Sequence, residues 1–241
     1  RSTQAKTLFP YTTLFRSTLN LSWYKKNTMV PVPLLVDAGR LRIFLTMCDA
    51  QNVGRIGYVD VNPEDPSEII GYSKEPVFDI GEDGSFDDSG VLPSALFEKD
   101  GKHYMFYSAY QKQVKVPYTI LSGLAVFDDA SLTSLTRVQT VPILERSEQE
   151  PIIRSAVFCM ATEHGFRIYY SSGSKWIHNT VKEAPSYDIK CIDSEDFLDW
   201  SRATPHPCLA LNQDEYGLTT PGVYKEHGVF QMLYSLRSIS K

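Results

Sequence analysis

Acidic residues recur in three separate stretches of this 241-residue sequence, each shortly before an apolar run. The pairs are Asp87 and Asp88 before Pro93, Glu148 and Glu150 before Ser155, and Asp214 and Glu215 before Pro221. Carboxyl groups that meet in one pocket can carry out acid–base chemistry, because one donates a proton while another accepts one. The elements that follow these stretches decide whether the fold brings them together.

A turn glycine between two apolar runs recurs along the chain with a nearly constant period. Gly39, Gly101, Gly165 and Gly228 are separated by 62, 64 and 63 residues. The second of them lies in Asp100-Gly101, and a DG turn flanked by apolar residues is a strong hairpin signal. The period predicts a repeated unit of about 63 residues that contains one hairpin.

Two further markers complete the repeated unit. An alternating strand that ends in an acid follows each of the first three hairpins, and a short outer strand beginning at Pro76, Pro142 or Pro207 comes next. Each unit is then a four-stranded antiparallel sheet, which buries both faces only by stacking against its neighbours. Since no helical period is sustained, the sequence predicts an all-β propeller. The predicted blades lie near residues 27–83, 84–147, 148–214 and 215–241, so the last blade is short and we expect a truncated propeller.

The first residues differ in character from the rest. Thr7 to Ser17 reads TLFPYTTLFRS, which resembles one reading frame of a common sequencing adapter. We therefore interpret residues 1–17 as a non-native addition and residues 18–241 as the propeller domain, and we expect the native start of the chain to be missing.

Composition and charge narrow the range of partners. The formal net charge is −5 and no basic cluster is visible, which argues against nucleic acid. No apolar run approaches the roughly 20 residues that span a bilayer, so no membrane partner is expected. The four cysteines contain no CxxC pair and the five histidines show no ligand spacing, so we expect no metal and no cofactor. Widely spaced cysteines favour a reducing compartment, and the predicted location is the cytoplasm.

Several short motifs stand out within the repeated units. They are SFDDSGVLPS at 85–94, VPY at 116–118, PILERS at 142–147, YSSG at 170–173 followed by Trp176, and YSLR at 234–237. Together they resemble the five-bladed β-propeller glycosidases, a clan that includes arabinanases, β-xylosidases, invertases and levansucrases, and in particular a bacterial subgroup of it. The resemblance covers roughly residues 20–241 and implies five blades around one axis, with a carbohydrate as the partner.

The resemblance also implies catalytic roles, because the carboxylates of that clan lie on the loops and first strands that lead into the blades. By this analogy Glu150 is the general acid, with a pKa raised by burial and by negatively charged neighbours. Asp88 is the base, or the group that tunes Glu150. The clan usually takes its base from the loop before the first blade, but that loop here reads KNTMVP, from Lys26 to Pro31, and contains no acid.

Six further residues are predicted to contact the substrate. They are Asp87, Arg154, Trp176, Glu215, Tyr216 and Arg237. Trp176 can stack on a sugar ring or pack between blades, and the two arginines can bind an anionic group or neutralise the acids. The predicted function is hydrolysis of a glycosidic bond in an axial pocket. A carbohydrate-binding propeller without hydrolysis and a protein-interaction scaffold are the alternatives that the sequence leaves open.

Overall fold

The computed structural model describes residues 19, 21–178 and 183–238. These residues form fourteen strands: β1 (Thr28–Asp37), β2 (Arg40–Cys48), β3 (Gly54–Val61), β4 (Ile69–Tyr72), β5 (Val91–Lys99), β6 (Lys102–Lys112), β7 (Tyr118–Phe127), β8 (Leu135–Arg137), β9 (Ile153–Thr162), β10 (Gly165–His178), β11 (Glu183–Ser194), β12 (His206–Leu209), β13 (Glu215–Glu226) and β14 (Val229–Ser238). A helix of the length and apolarity needed to cross a membrane is absent from this part of the chain.

The described strands group into four units that we call blades one to four. Blade one contains β1–β4, blade two β5–β8, blade three β9–β12, and blade four β13 and β14, and consecutive strands within each blade pair antiparallel. The third strands of blades two and three also pair in parallel with the first strand of the next blade, Leu121 with Arg154 and Tyr187 with Gly217. First strands of successive blades lie in contact, as the inner strands of a propeller must. The predicted all-β propeller architecture is confirmed, whereas the number of five blades stays a prediction.

Side chains of the second strands pack alternately against the blades on either side. Met105 lies in the core between blades one and two, and Phe106 lies in the core between blades two and three. Ile168 and Tyr169 divide in the same way between the two faces of blade three. Because successive residues of a strand point to opposite faces, a strand that is apolar throughout needs a sheet on each side. Stacking of neighbouring blades satisfies this need.

The outer strands of blades one and two differ from the prediction. β4 and β8 lie before the segments that start at Pro76 and Pro142, and not within them. Phe78 and Leu144 instead form single bridges with the third strand of their own blade, and their side chains are buried in the cores between blades. Proline has no N–H to donate to a ladder, so these segments are held mainly by packing. In blade three the prediction is confirmed, because β12 contains Pro207.

A hydroxyl at one position of the second strand ties each blade to the first strand of the next. The bonded pairs are Thr46 Oγ1 with the Val91 carbonyl at 3.2 Å, Ser108 Oγ with the Ala156 N–H at 2.9 Å, and Ser171 Oγ with the Leu218 carbonyl at 3.3 Å. All three hydroxyl residues are buried and follow one another at 62 and 63 residues. A buried hydroxyl without a partner is costly, so these bonds fix the inner strands relative to one another.

Left-handed backbone at non-glycine residues marks an irregularity in three of the first strands. Val30, Ala156 and Thr220 have φ of 52°, 53° and 51°, and each lies at a register shift in β1, β9 or β13. A residue of this kind costs about 1–2 kcal/mol in an L-amino acid. Such a bulge bends and twists the strand locally. The side chains at the start of each inner strand therefore point in a different direction from those of a regular strand.

Candidate functional site

One end of the sheets collects the loops that carry the acids. We call the loop before the first strand of a blade its leading loop, and the end of the sheets where those strands begin the leading end. β5, β9 and β13 begin there, and so do β7 and β11, which run in the same direction. β10 and β14 end there, at His178 and Ser238. Side chains near these strand ends are therefore the ones that can meet the acidic loops.

Glu150, the predicted general acid, is fully buried, with 0% of its surface exposed. Its carboxylate lies 3.0 Å from Arg154 Nε and 3.2 Å from Lys190 Nζ. The same carboxylate accepts hydrogen bonds from the Tyr170 hydroxyl at 2.9 Å and the Ser172 hydroxyl at 2.5 Å. All four partners belong to blade three, so the carboxylate anchors the leading loop to the blade that follows it.

These contacts lower the pKa of Glu150. Burial alone would raise this pKa, but the Ser172 hydrogen bond, the charge of Arg154 and the remaining contacts together outweigh burial. The predicted raised pKa is therefore wrong, because two cations stand where negatively charged neighbours were expected. A carboxylate that stays ionised at neutral pH is a poor proton donor, so the general-acid role of Glu150 stays a prediction that its surroundings disfavour.

Asp87 repeats the arrangement of Glu150 one blade earlier. It precedes Glu150 by 63 residues and is 1% exposed. The Tyr107 hydroxyl donates to its carboxylate at 3.2 Å, and Arg137 Nε lies 2.8 Å from the same oxygen. Tyr107 likewise precedes Tyr170 by 63 residues, so each acid is followed 20 residues later by the tyrosine that binds it. Protein partners occupy the Asp87 carboxylate, and its predicted substrate contact stays a prediction.

A glycine beside Tyr107 offers a test of this buried anchor. A Cβ at Gly123 would overlap the Tyr107 ring and hydroxyl, and the ring is fully buried. We expect Gly123→Ala to lower the free energy of unfolding by about 2 kcal/mol, because overpacking forces the ring off its position. Gly222→Ala in β13 is the control, since the nearest atom there lies 4.0 Å from the added Cβ. Equal losses for the two variants in urea unfolding would contradict the anchor.

Asp88, the predicted base, is partly exposed on the leading loop of blade two. One oxygen accepts a hydrogen bond from the Ser89 hydroxyl at 2.7 Å and the other accepts one from the Gly84 N–H at 3.1 Å. The Ser89 hydroxyl in turn accepts a hydrogen bond from the Lys112 N–H at 3.2 Å. These local bonds orient an accessible carboxylate, and none of them connects Asp88 to Glu150.

Asp188 is a carboxyl group that the sequence interpretation missed. It lies on β11 opposite Ser172, the residue whose hydroxyl holds Glu150. Asp188 is partly exposed, and its buried Oδ1 has no hydrogen-bond partner among the residues that the structure describes. Burial raises the pKa of Asp188; the charge of Lys190 and a backbone hydrogen bond oppose this rise, and the charge of Glu150 adds a smaller rise. A carboxyl group that retains its proton to higher pH is suited to general acid catalysis.

Aromatic side chains and one arginine from blades two, three and four meet at the leading end. We call this set the aromatic cluster: Tyr118, Trp176, Tyr187, Tyr216 and Arg237. The Tyr118 and Trp176 rings meet edge-on with centroids 5.5 Å apart. Arg237 interacts with the phenols of Tyr187, Tyr216 and Tyr118. Flat apolar faces combined with a few polar groups are typical of sites that bind small molecules, including sugars.

The remaining predicted contacts divide into two groups. Trp176, Tyr216 and Arg237 come together in the aromatic cluster. Glu215 is bound within its own turn, because its carboxylate accepts hydrogen bonds from the Asn212 N–H at 2.8 Å and Nδ2 at 3.0 Å. Arg154 is paired with Glu150, and its Nη1 donates to the Glu145 carbonyl at 2.6 Å. These contacts give Glu215 and Arg154 structural roles, and their predicted substrate contacts stay predictions.

Comparisons with known proteins place this geometry in context. No protein-family model matches the chain. Two uncharacterised proteins of Mycobacterium tuberculosis are each 25% identical over 224 residues, which is 93% of this chain and 74% of theirs. Among solved structures, a glycoside hydrolase is similar with a TM-score of 0.64 at 14% identity, over 89% of this chain and 66% of its own.

Two further solved structures are similar to a comparable degree. The alpha-L-arabinanase of Cellvibrio cellulosa has a TM-score of 0.61 at 16% identity, over 98% of this chain and 76% of its own. The sucrose-6-phosphate hydrolase from Lactobacillus gasseri has a TM-score of 0.60 at 14% identity, over 86% and 40%. The chain thus has the fold of the β-propeller glycoside hydrolases, and the predicted resemblance is confirmed at the level of fold. A shared fold does not by itself assign an activity.

Proposed function

We propose that the protein binds a carbohydrate at the leading end and hydrolyses a glycosidic bond there. The observation that carries this proposal is Asp188, a partly exposed carboxyl group with a raised pKa on β11, the strand that also carries Tyr187 of the aromatic cluster. A protonated carboxyl group can donate to the glycosidic oxygen, and aromatic rings can stack on the sugar. The glycoside hydrolases that share the fold support the same class of reaction.

In this proposal burial is the main reason that Asp188 keeps its proton, the charge of Glu150 adds a smaller effect, and Glu150 does not itself transfer a proton. Arg154 and Lys190 hold the charge of Glu150 in place, and that charge disfavours ionisation of Asp188. Asp188 gives its proton to the leaving-group oxygen as the glycosidic bond breaks. Asp88, the partly exposed acid of the blade-two leading loop, accepts a proton from the water that attacks the anomeric carbon. The water oxygen becomes the new hydroxyl of the released sugar.

Turnover of aryl glycosides tests this proposal. We expect the chain to release 4-nitrophenol from at least one of 4-nitrophenyl α-L-arabinofuranoside and 4-nitrophenyl β-D-xyloside. The rate should fall on the alkaline side as Asp188 loses its proton, and the fall should come at a higher pH than the ordinary aspartate pKa of about 4. Failure to release product from either substrate, at protein concentrations where sugar binding is saturated, would contradict hydrolysis.

Carbohydrate binding without hydrolysis is the second candidate function. Two observations favour it: the leading loop of blade one contains no acid, and Glu150 is neutralised by cations. The aromatic cluster would then be the whole of the functional site. Saturable quenching of tryptophan fluorescence by an oligosaccharide, together with unchanged oligosaccharide after prolonged incubation, would establish this second function in place of the first.

A further inference from the structure

Arg237 differs from most arginines of the described chain in what surrounds it. Six arginines are ion-paired with an acid, namely Arg40, Arg42, Arg55, Arg137, Arg154 and Arg167. Arg237 faces the phenols of Tyr187, Tyr216 and Tyr118 in place of a carboxylate. Among the described residues no carboxylate pairs with this positive charge, in a protein whose formal net charge is −5. An arginine held among neutral hydroxyl groups is available to an anion from outside.

The backbone fixes the geometry of this group. Gly217 pairs with Tyr187 on one side and with Arg237 on the other. A Cβ at Gly217 would lie 2.5 to 2.7 Å from the Tyr187 ring, so the ring packs directly over this glycine. Tyr187 and Arg237 therefore flank one backbone position, and the residue immediately before Gly217 is Tyr216 of the cluster. Arg237 as a whole residue is exposed, whereas the tyrosines around it are buried or partly buried.

The phenols can act as donors to the same ligand. Burial raises the pKa of Tyr187 to about 12, and burial likewise raises the pKa of Tyr118, so both hydroxyls keep their protons at neutral pH. The Nε1 of Trp176, next to Tyr118, is buried and has no partner among the described residues. The Glu215 carboxylate accepts hydrogen bonds from Asn212 and forms no ion pair with Arg237 in the described part of the chain. One cation and several neutral donors form a favourable environment for negative charge.

We propose that Arg237 and the phenols of Tyr187 and Tyr216 bind an anionic group, a carboxylate or a phosphate, that is carried by the carbohydrate. A guanidinium binds either group through two parallel hydrogen bonds. The inference rests on the proposed carbohydrate function and narrows its substrate to acidic or phosphorylated sugars. Neutral sugars then bind only through stacking and are held more weakly.

Titration of the full chain with three matched sugars tests the inference. Glucose, glucuronic acid and glucose 6-phosphate share one ring and differ in the charge carried at C6, and tryptophan fluorescence reports binding near Trp176. We expect at least one charged sugar to bind about tenfold or more tightly than glucose. Arg237→Gln should reduce this preference to about twofold or less, and Arg237→Lys should retain part of it. Arg202→Gln, at an exposed arginine outside the cluster, is the matched control and should leave the preference unchanged.

Each outcome has a defined meaning. Tighter binding of glucuronic acid than of glucose 6-phosphate assigns the site to a carboxylate, and the reverse order assigns it to a phosphate. Equal binding of glucose and both charged sugars, or a preference that Arg237→Gln retains, overturns the inference, while turnover of neutral aryl glycosides would still uphold the proposed hydrolysis. A preference that depends on Arg237 without any turnover upholds the inference and overturns hydrolysis alone.

Discussion

Glu150→Gln is expected to lower the free energy of unfolding by about 3 kcal/mol at pH 7. The substitution leaves the charges of Arg154 and Lys190 without the carboxylate that compensates them. Removing one partner of a buried ion pair typically costs about 3–5 kcal/mol. We expect the lower end of this range because the Lys190 side chain keeps 20% of its surface exposed and can rehydrate. Urea unfolding followed by circular dichroism measures the change.

Glu148→Gln is the matched control for this variant. Glu148 lies two residues earlier in the same leading loop and is exposed, so removing its charge should change stability by less than about 0.5 kcal/mol. A Glu150→Gln protein as stable as the wild type would contradict the anchoring role and restore Glu150 as a candidate for proton transfer.

The stability contributed by Glu150 should also depend on pH. Because its pKa is lower in the folded protein than in the unfolded chain, its contribution is fully present above the unfolded value of about 4.3. The contribution is lost as the pH falls through the folded pKa. We therefore expect the stability difference between wild type and Glu150→Gln to be largest at pH 7 and to shrink towards pH 3. A difference that grows as the pH falls would contradict the lowered pKa.

The architecture could be predicted from the sequence, because the patterns that indicate its hairpins and strands are local. The turn glycines at Gly39, Gly101, Gly165 and Gly228 mark hairpins, and the alternation of apolar side chains marks strands buried on both faces. The bulges at Val30, Ala156 and Thr220 could not be predicted from the sequence, because these residue types disfavour the left-handed backbone that they adopt here. The packing of neighbouring inner strands imposes that conformation, and no local sequence pattern predicts it.

The site was harder to predict from the sequence than the fold, because the environment of an acid depends on residues that are distant in sequence. Glu150 is held by Lys190, which reaches it only because β10 and β11 pair in one particular register. One pattern in the sequence does indicate this environment: the spacing of 63 residues from Asp87 to Glu150 recurs from Tyr107 to Tyr170. An acid that repeats in consecutive blades together with its tyrosine indicates a role in holding the leading loop to the blade.

No sequence pattern comparable to this repeated spacing identifies Asp188. It lies in the middle of an alternating strand, where a polar residue usually points to solvent. Its distinguishing features are its position opposite Ser172 and its proximity to the buried charge of Glu150. Both depend on the three-dimensional arrangement of blade three. The residue with the strongest case for proton transfer was therefore the one that sequence patterns could not distinguish.

Asp188→Asn is expected to reduce turnover of 4-nitrophenyl glycosides by about 100-fold or more, because it removes the proton donor while keeping the shape of the side chain. The stability of the variant should stay within about 1 kcal/mol of the wild type or rise slightly. An acid whose pKa is raised in the folded protein destabilises that state once it ionises, and asparagine cannot ionise. Asp83→Asn, at an exposed acid in the blade-two leading loop, is the control and should change neither property.

The identity of the leaving group separates proton donation from a general loss of site geometry. A 2,4-dinitrophenolate leaves with little help from an acid, so Asp188→Asn should cleave 2,4-dinitrophenyl glycosides with a loss of less than about tenfold. The alkaline fall in the wild-type pH–rate profile should also disappear in the variant, since that fall reports ionisation of the acid. Equal losses on both leaving groups would show that Asp188 positions the substrate. The proton donor would then have to be sought among the other partly exposed acids of the leading end, of which Asp88 is the first.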